Sequence, residues 1–327
     1  MNPYEPIEVV VVGGGPAGAT IARLLALRGR RVTVISPAAV GVDRLEVLAP
    51  SSRPVVNALA LSELLHDPSI ARPCAGIRRR WGSAEPEFDD FFRHPGGQGF
   101  VVDRVRFDAR LRVMAIEAGV SFLDGRVTAV RREDRGFRIE ATEEEERLVV
   151  STPLAIDASG RPSAVSRRLG ARHVVSERLV ADCHSVERSD DLSQVPVWLD
   201  VEASGMNWGY TICGPEGRRE RWSVHRDGDR AETGLGIRMN ASSSCLSQAA
   251  EEGWIAVGDA ATAFDPIASQ GLVNALSTAL VAAGAILSPR GLTEEAACTY
   301  SEAVAATFAN SERGRAAVYG ALKAKAS

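Results

Sequence analysis

Gly13, Gly15 and Gly18 close the stretch Ile7-Glu8-Val9-Val10-Val11-Val12-Gly13-Gly14-Gly15-Pro16-Ala17-Gly18, and their spacing is the strongest chemical signal in the chain. Gly13 permits a sharp turn, Gly15 lets a pyrophosphate approach the backbone, and Gly18 lets a helix pack against a strand. The helix that opens with Pro16 and Ala17 then aims its positive N-terminus at negative charge. This chemistry is the binding of a dinucleotide, FAD or NAD(P). An acidic residue is expected at the end of the second strand, Arg31-Val32-Thr33-Val34-Ile35, to hold the adenosine ribose. Ser36 stands there, followed by Pro37, so a charge-assisted contact of roughly 1.5 to 3 kcal/mol is reduced to a hydroxyl. Either Asp43 substitutes from the following loop or the nucleotide is held more loosely.

Other reactive residue types are present without a pattern. Cys74, Cys183, Cys213, Cys245 and Cys298 are widely spaced, odd in number and free of C-x-x-C, which reads as reduced thiols of a cytoplasmic protein. His66, His94, His173, His184 and His225 lack metal spacing, and Cys183-His184 points to opposite faces of a strand, so no metal site is expected. His94 and His225 could act as bases, but a lone histidine on a sheet is more often structural. The formal net charge of −4 argues against a nucleic-acid surface, and Arg78-Arg79-Arg80 and Arg131-Arg132 read as solvated faces. No signal peptide or transmembrane span is expected.

The glycine turn needs a particular scaffold. Val9 to Val12 is a continuous β-branched run, which reads as a buried parallel strand, and Ala19 to Leu27 carries helical periodicity. Val127 to Ile156 contains short strands separated by charged turns, a β-meander, and ends in the apolar strand Leu154-Ala155-Ile156-Asp157. Residues 174 to 236 read as a separate antiparallel sheet that holds three of the five tryptophans. From Gly253 onward a strand leads into alanine-rich helices over Gly271 to Leu287 and Thr293 to Tyr319. The 327 residues, 45% hydrophobic and 24% charged, suffice for two intertwined domains. The expected division is a nucleotide domain of residues 1–70, 97–173 and 250–327, with a substrate domain of residues 71–96 and 174–249.

Three motifs at this spacing resemble the FAD-dependent monooxygenases with the p-hydroxybenzoate hydroxylase fold. They are the glycine turn, Asp157-Ala158-Ser159-Gly160 with Ser163 and Arg167 following, and Gly253-Trp254-Ile255-Ala256-Val257-Gly258-Asp259-Ala260-Ala261 with Asp265-Pro266 and Gln270-Gly271-Leu272. The Ala-Ser insertion in the second is similar to the tryptophan-halogenase-like branch. Arg44-Leu45-Glu46-Val47-Leu48-Ala49-Pro50 resembles that branch's Gly-Glu-Ser-Leu-Pro-Pro loop, with departures at Leu45, Val47 and Ala49. Trp81-Gly82-Ser83, Phe88 to Phe92 and Asn207 to Ile212 are similar to flavoproteins that mature tryptophan-derived quinone cofactors. The fold so implied is α/β, a Rossmann-like FAD-binding domain with a β-meander plus an antiparallel-sheet substrate domain. The resemblance implies FAD contacts from Gly13, Gly15, Pro16, Ala17, Gly18, Ser36, Arg44, Arg104, Asp157, Gly160, Asp259, Pro266, Gly271 and Leu272. Asp259 would hold the ribityl chain, Pro266 would face the flavin, and the helix from Gly271 would point its N-terminus at the flavin N1 and C2 carbonyl. Arg104 could instead be an ordinary i, i+4 ion pair with Asp108.

The choice of reaction follows from what is missing. The halogenases of this branch use a lysine between flavin and substrate, and this chain has only Lys323 and Lys325, so halogenation is disfavoured. The resemblance implies a hydroxylase that acts through a flavin C4a-hydroperoxide, with electrons from NAD(P)H directly or through a flavin reductase. Its substrate would be aromatic or electron-rich, a small molecule or peptide-tethered, and would lie near Trp81, Trp208 and Tyr210. An oxygen-independent flavin reductase of the same fold and a degenerate flavin-binding accessory protein are the alternatives.

Overall fold

The computed structural model describes residues 7–38, 43–81, 85–144, 146–188, 196–204, 207–229 and 237–326. Gly82 and Ser83 lie outside the described residues, as do the side chains of Lys323 and Lys325.

The continuous apolar runs become the centre of a six-stranded sheet. Its spatial order is Ala250–Glu251, Trp254–Ala256, Leu154–Asp157, Val9–Val12, Val32–Ile35 and Ser121–Leu123. Only the first of these pairs antiparallel; the other five strands are parallel. All four valines of Val9–Val12 are buried, as a strand covered on both faces requires. Helix α1 (Pro16–Ala26) lays Ile21 and Leu25 on this sheet, both fully buried, which is worth about 1.5 to 3 kcal/mol each. The meander forms a separate three-stranded antiparallel sheet of Arg126–Glu133, Gly136–Glu143 and Glu146–Thr152.

A second, nine-stranded sheet stands beside the first, built largely from Ala71–Trp81, Leu179–Arg188, Val197–Ser204, Asn207–Cys213 and Arg218–Arg226. It also takes in Leu45–Leu48 and Gly99–Asp103, from stretches expected in the nucleotide domain. The chain thus passes between the two sheets at residues 45–48 and again at 99–103, which ties them together. Arg78 and Arg80, read as a solvated face, stand in register with Asp200 and Glu202 on the adjacent parallel strand and pair with them. Trp222, Trp208 and Trp81 lie in the hydrophobic core of this sheet.

Four further α-helices stand among the described residues. Helix α2 (Arg53–Ala58) and helix α3 (Arg104–Glu117) cover a third apolar cluster that includes Leu61, Phe107, Leu111 and Leu276. Helix α4 (Gly271–Ile286) packs across α1, and the long helix α5 (Glu294–Ala326) runs from the parallel sheet to the tryptophan-rich sheet. Among the described residues no helix is long and apolar enough to cross a membrane.

Candidate active site

The carboxyl ends of all five parallel strands open onto one crevice, the position where ligands bind in sheets of this kind. It is lined by Gly13 to Ala17 after the first strand, Ser36 after the second, Gly125 to Val127, Ala158 to Gly160, and Val257 with Asp259. Gly271 and Leu272 at the start of α4 close its far end. The glycine turn and the Gly258 to Leu272 segment, far apart in sequence, therefore share a single cleft.

The three glycines have different physical reasons for being there. Gly13 has φ +107° and a side chain would place Cβ 2.2 Å from the Ala158 carbonyl oxygen. At Gly18 a Cβ would lie 1.9 Å from the Gly13 carbonyl oxygen. Both are demanded by the protein's own packing. Gly15 is not: it sits in ordinary extended backbone at φ −72°, and a Cβ there would meet no protein atom within 4 Å. Bare backbone with open space in front of it is what a close-lying ligand requires.

Of Ser36, Asp43 and Asp157, only Ser36 lines the crevice. Ser36 is buried at the crevice wall, its hydroxyl directed at the Pro37 carbonyl at 3.4 Å. Asp43 does not join it, because its carboxylate pairs with Arg218 of the second sheet. Asp157, expected at the cofactor, is fully buried and does not line the crevice. Its Oδ1 accepts from Ser159 N–H and the Ser159 hydroxyl, and its Oδ2 from Val165 and Ser166 N–H and the Ser166 hydroxyl at 2.7 to 2.9 Å. Asp157 therefore shapes the loop that carries Gly160 to the crevice.

At the junction of α4 and the second sheet lies a charged cluster. Arg104 donates to both carboxylate oxygens of Asp108, at 3.1 and 2.9 Å, and pairs with Glu46, while Arg44 reaches Glu46 at 3.1 Å. The ion pair with Asp108 and a place at the crevice wall thus coexist in Arg104. Burial raises the pKa of Glu46, but the charges of Arg104 and Arg44 outweigh it and bring the carboxyl down to about 2. The other Glu46 oxygen accepts the Leu272 N–H at 2.8 Å. The α4 N-terminus, expected to face a flavin, is answered here by a protein carboxylate.

Asp259 has no such partner. Its carboxylate accepts no hydrogen bond among the described residues, and the nearest cation is Arg161 Nε at 3.6 Å. Burial raises its pKa, with Arg161 and Arg44 pulling the other way. A third of this side chain is exposed at the crevice, where a ligand hydroxyl can donate to it. Arg161, which the sequence reading passed over, is fixed by donating to the carbonyls of Ser242 and Phe264. Its position directly after the Asp157-to-Gly160 turn was the available signal.

Beyond Arg44, Asp259 and Gly271 the crevice meets a second cavity, of about 1030 Å³ including its mouth, and these three residues line both. Trp81, Trp208, Tyr210 and Pro266 all face this chamber, with Trp222 and Phe264 added to the expected aromatics. Tyr210 stacks on Trp222 with ring centroids 6.3 Å apart and 11° between planes. Burial raises the Tyr210 pKa, so the phenol stays protonated, and its hydroxyl has no partner among the described residues. Trp208 is anchored from α5: its indole N–H donates to the Tyr319 hydroxyl at 2.8 Å, which donates to Asp265 at 2.9 Å. His94 and His225 do not line the chamber; His94 pairs with Asp89 and His225 with Asp182.

Residues 8–184, more than half the chain, match the lycopene cyclase protein family. The chain belongs to this family. Among curated proteins it is 27% identical over 321 residues to a menaquinone reductase of Mycobacterium tuberculosis, covering 86% of this chain and 77% of the relative. It is 24% identical over 338 residues to a pyrrole-2-carbonyl peptidyl-carrier-protein chlorinase of Pseudomonas fluorescens, covering 86% and 75%. Among solved structures it resembles QhpG, a peptidyl tryptophan dihydroxylase, with TM-score 0.73, 22% identity and coverage of 94% and 74%. It also resembles the myxobacterial chondrochloren halogenase CndH, with TM-score 0.77, 24% identity and coverage of 97% and 82%. The fold is shared with a peptidyl tryptophan dihydroxylase and an FAD-dependent halogenase, as the motifs implied. The chain stands among FAD-dependent oxidoreductases and is an enzyme.

Proposed function

We propose that this enzyme is an FAD-dependent monooxygenase that hydroxylates an aromatic or electron-rich substrate. The observation that carries the reading is the shared wall of Arg44, Asp259 and Gly271, which joins the crevice at the glycine turn to an aromatic chamber. In this reading Gly13 to Ala17 lie against the pyrophosphate, Ser36 meets the adenosine ribose, and the open Asp259 carboxylate takes a ribityl hydroxyl. Gly160, Gly271 and Leu272 line the cleft, Arg44 and Arg104 flank it, and Gly18 acts only through packing. FAD, when bound, supplies the redox chemistry and the activation of oxygen.

The chain's own residues then hold and orient the substrate. Trp81, Trp208 and Trp222 offer flat apolar walls, Pro266 sits at the cofactor side, and the free Tyr210 hydroxyl is a neutral donor for a polar substituent. No lysine lines the chamber among the described residues, which favours hydroxylation over halogenation. The electron donor is NAD(P)H, directly or through a reductase, and the free thiols suit a cytoplasmic setting. The likeness to menaquinone reductase favours a second reading, oxygen-independent reduction of a C=C bond. Purified protein reconstituted with FAD and supplied with NAD(P)H distinguishes them. A product heavier by one oxygen atom, formed only in air, supports the hydroxylase; equal turnover without oxygen replaces it with the reductase.

A further inference from the structure

A second concavity adjoins the aromatic chamber, and the two share Arg161, Met239 and Asn240. Its walls carry Arg161, Arg167, Arg172, Arg178 and Arg238, against one lining carboxylate, Asp227. Arg238 is neutralised by Asp182 at 2.7 and 2.9 Å, and Arg161 is engaged with backbone carbonyls and Asp259. Arg167, Arg172 and Arg178 are exposed and make no side-chain hydrogen bond or ion pair among the described residues. Three guanidiniums with no partner among the described residues therefore line one concave site of a chain whose net charge is −4. Burial holds the His173 imidazole on the same wall below its usual range, and the charges of Arg167 and Arg161 push it the same way. Fork-shaped guanidiniums suit phosphate oxygens, and like charges gathered in a concavity are stabilised when an anion joins them.

We propose that this arginine groove binds the phosphate-bearing end of a ligand whose other end enters the aromatic chamber past Arg161, Met239 and Asn240. The proposal rests on the chamber being the substrate site as read above, and it adds the class of ligand: one with a phosphoryl or pyrophosphoryl group set apart from its reactive end. Such a group has two sources, a phosphopantetheine-type arm that carries the substrate, or a nicotinamide dinucleotide that delivers electrons.

Inorganic pyrophosphate titrated calorimetrically into the FAD-loaded enzyme tests it, since FAD occupies the glycine crevice and removes that site from the measurement. Saturable binding is expected, weakened about tenfold or more in the Arg172→Ala/Arg178→Ala variant and unchanged in Arg28→Ala/Arg30→Ala on the exposed turn after α1. The exposed, unpaired positions predict no loss of melting temperature. Displacement of pyrophosphate by 4′-phosphopantetheine assigns the groove to a substrate arm, and displacement by NADP+ assigns it to the electron donor. Absence of binding, equal binding in the Arg172/Arg178 variant, or displacement by neither compound overturns the proposal. None of these readouts depends on whether the product is hydroxylated, so failure here is separable from failure of the monooxygenase reading.

Discussion

Alanine at Gly13 and at Gly15 separates what the fold needs from what a ligand needs. At Gly13 the substitution forces a non-glycine residue to φ +107° and drives Cβ to 2.2 Å from the Ala158 carbonyl oxygen, a backbone atom that moves only with its strand. The conformational cost alone is about 1 to 2 kcal/mol, and with the clash the total reaches about 3 kcal/mol. With an unfolding entropy of about 2.1 cal/mol/K per residue, a chain of 327 residues shifts its melting temperature by about 1.5 °C per kcal/mol, so a fall of about 4 to 5 °C is expected. At Gly15 the backbone is already extended and nothing lies within 4 Å of the added methyl, so stability stays within about 0.5 kcal/mol of wild type. The same methyl stands where a pyrophosphate must approach, and FAD affinity should fall about tenfold or more, or 1.4 kcal/mol. Thermal melting of the apoprotein and flavin titration by fluorescence quenching give the two readouts. Gly15→Ala with wild-type FAD affinity would refute the reading of that open space as a ligand's place. Gly13→Ala with wild-type melting would refute the packing argument.

Four further substitutions bear on the site. The Glu46 carboxyl, lowered from 4.5 to about 2, contributes stability that is present above pH 4.5 and lost as pH falls toward 2. Glu46→Gln should therefore cost about 3 kcal/mol at pH 7, and urea titrations should show the gap to wild type closing between pH 4.5 and 2. Tyr319→Phe strips the Trp208 indole of its acceptor and Asp265 of a donor; a loss of about 2 kcal/mol in chemical denaturation is expected. Asp157→Ala leaves the Val165 and Ser166 N–H groups buried without their acceptor, so apoprotein stability should drop by about 3 to 5 kcal/mol. Tyr210→Phe removes a hydroxyl with no partner among the described residues, so melting should hold while KM for a substrate with a polar substituent rises.

The nucleotide half of this protein was legible because its constraints are local. Four valines in a row demand a doubly covered strand, and Gly13 and Gly18 sit where no side chain fits, so strand, turn and helix declare themselves within twelve residues. The aromatic chamber was partly legible: strands collect Trp208 and Tyr210 on one face, two residues apart, and their partner Trp222 comes from the next strand. Arg161, Glu46 and Tyr319 were harder to place, because their roles depend on neighbours 98, 58 and 111 positions away, in Asp259, Arg104 and Trp208. Asp157 is ambiguous for the opposite reason. The motif marks its place correctly, but a carboxylate that accepts bonds from its own loop and one that accepts bonds from a ligand look identical in sequence.

Glu46 gives the site a logic that neither cavity has alone. A helix N-terminus and two guanidiniums would together make a strongly positive corner between crevice and chamber, and any anion of suitable size would collect there. The Glu46 carboxylate fills that corner, bonded to Leu272 N–H on one oxygen and to Arg44 and Arg104 on the other. With Asp108 on the far side of Arg104, two cations face two carboxylates, and the Asp108 pKa is raised by burial despite its partner. Positive character is thereby withdrawn from the chamber wall and left at the Gly15 backbone and in the arginine groove, on either side of the aromatic space. Removing the Glu46 charge should shift anion binding back to the corner between them, and an additional pyrophosphate site in flavin-free Glu46→Gln, absent from flavin-free wild type, is the expected sign of it.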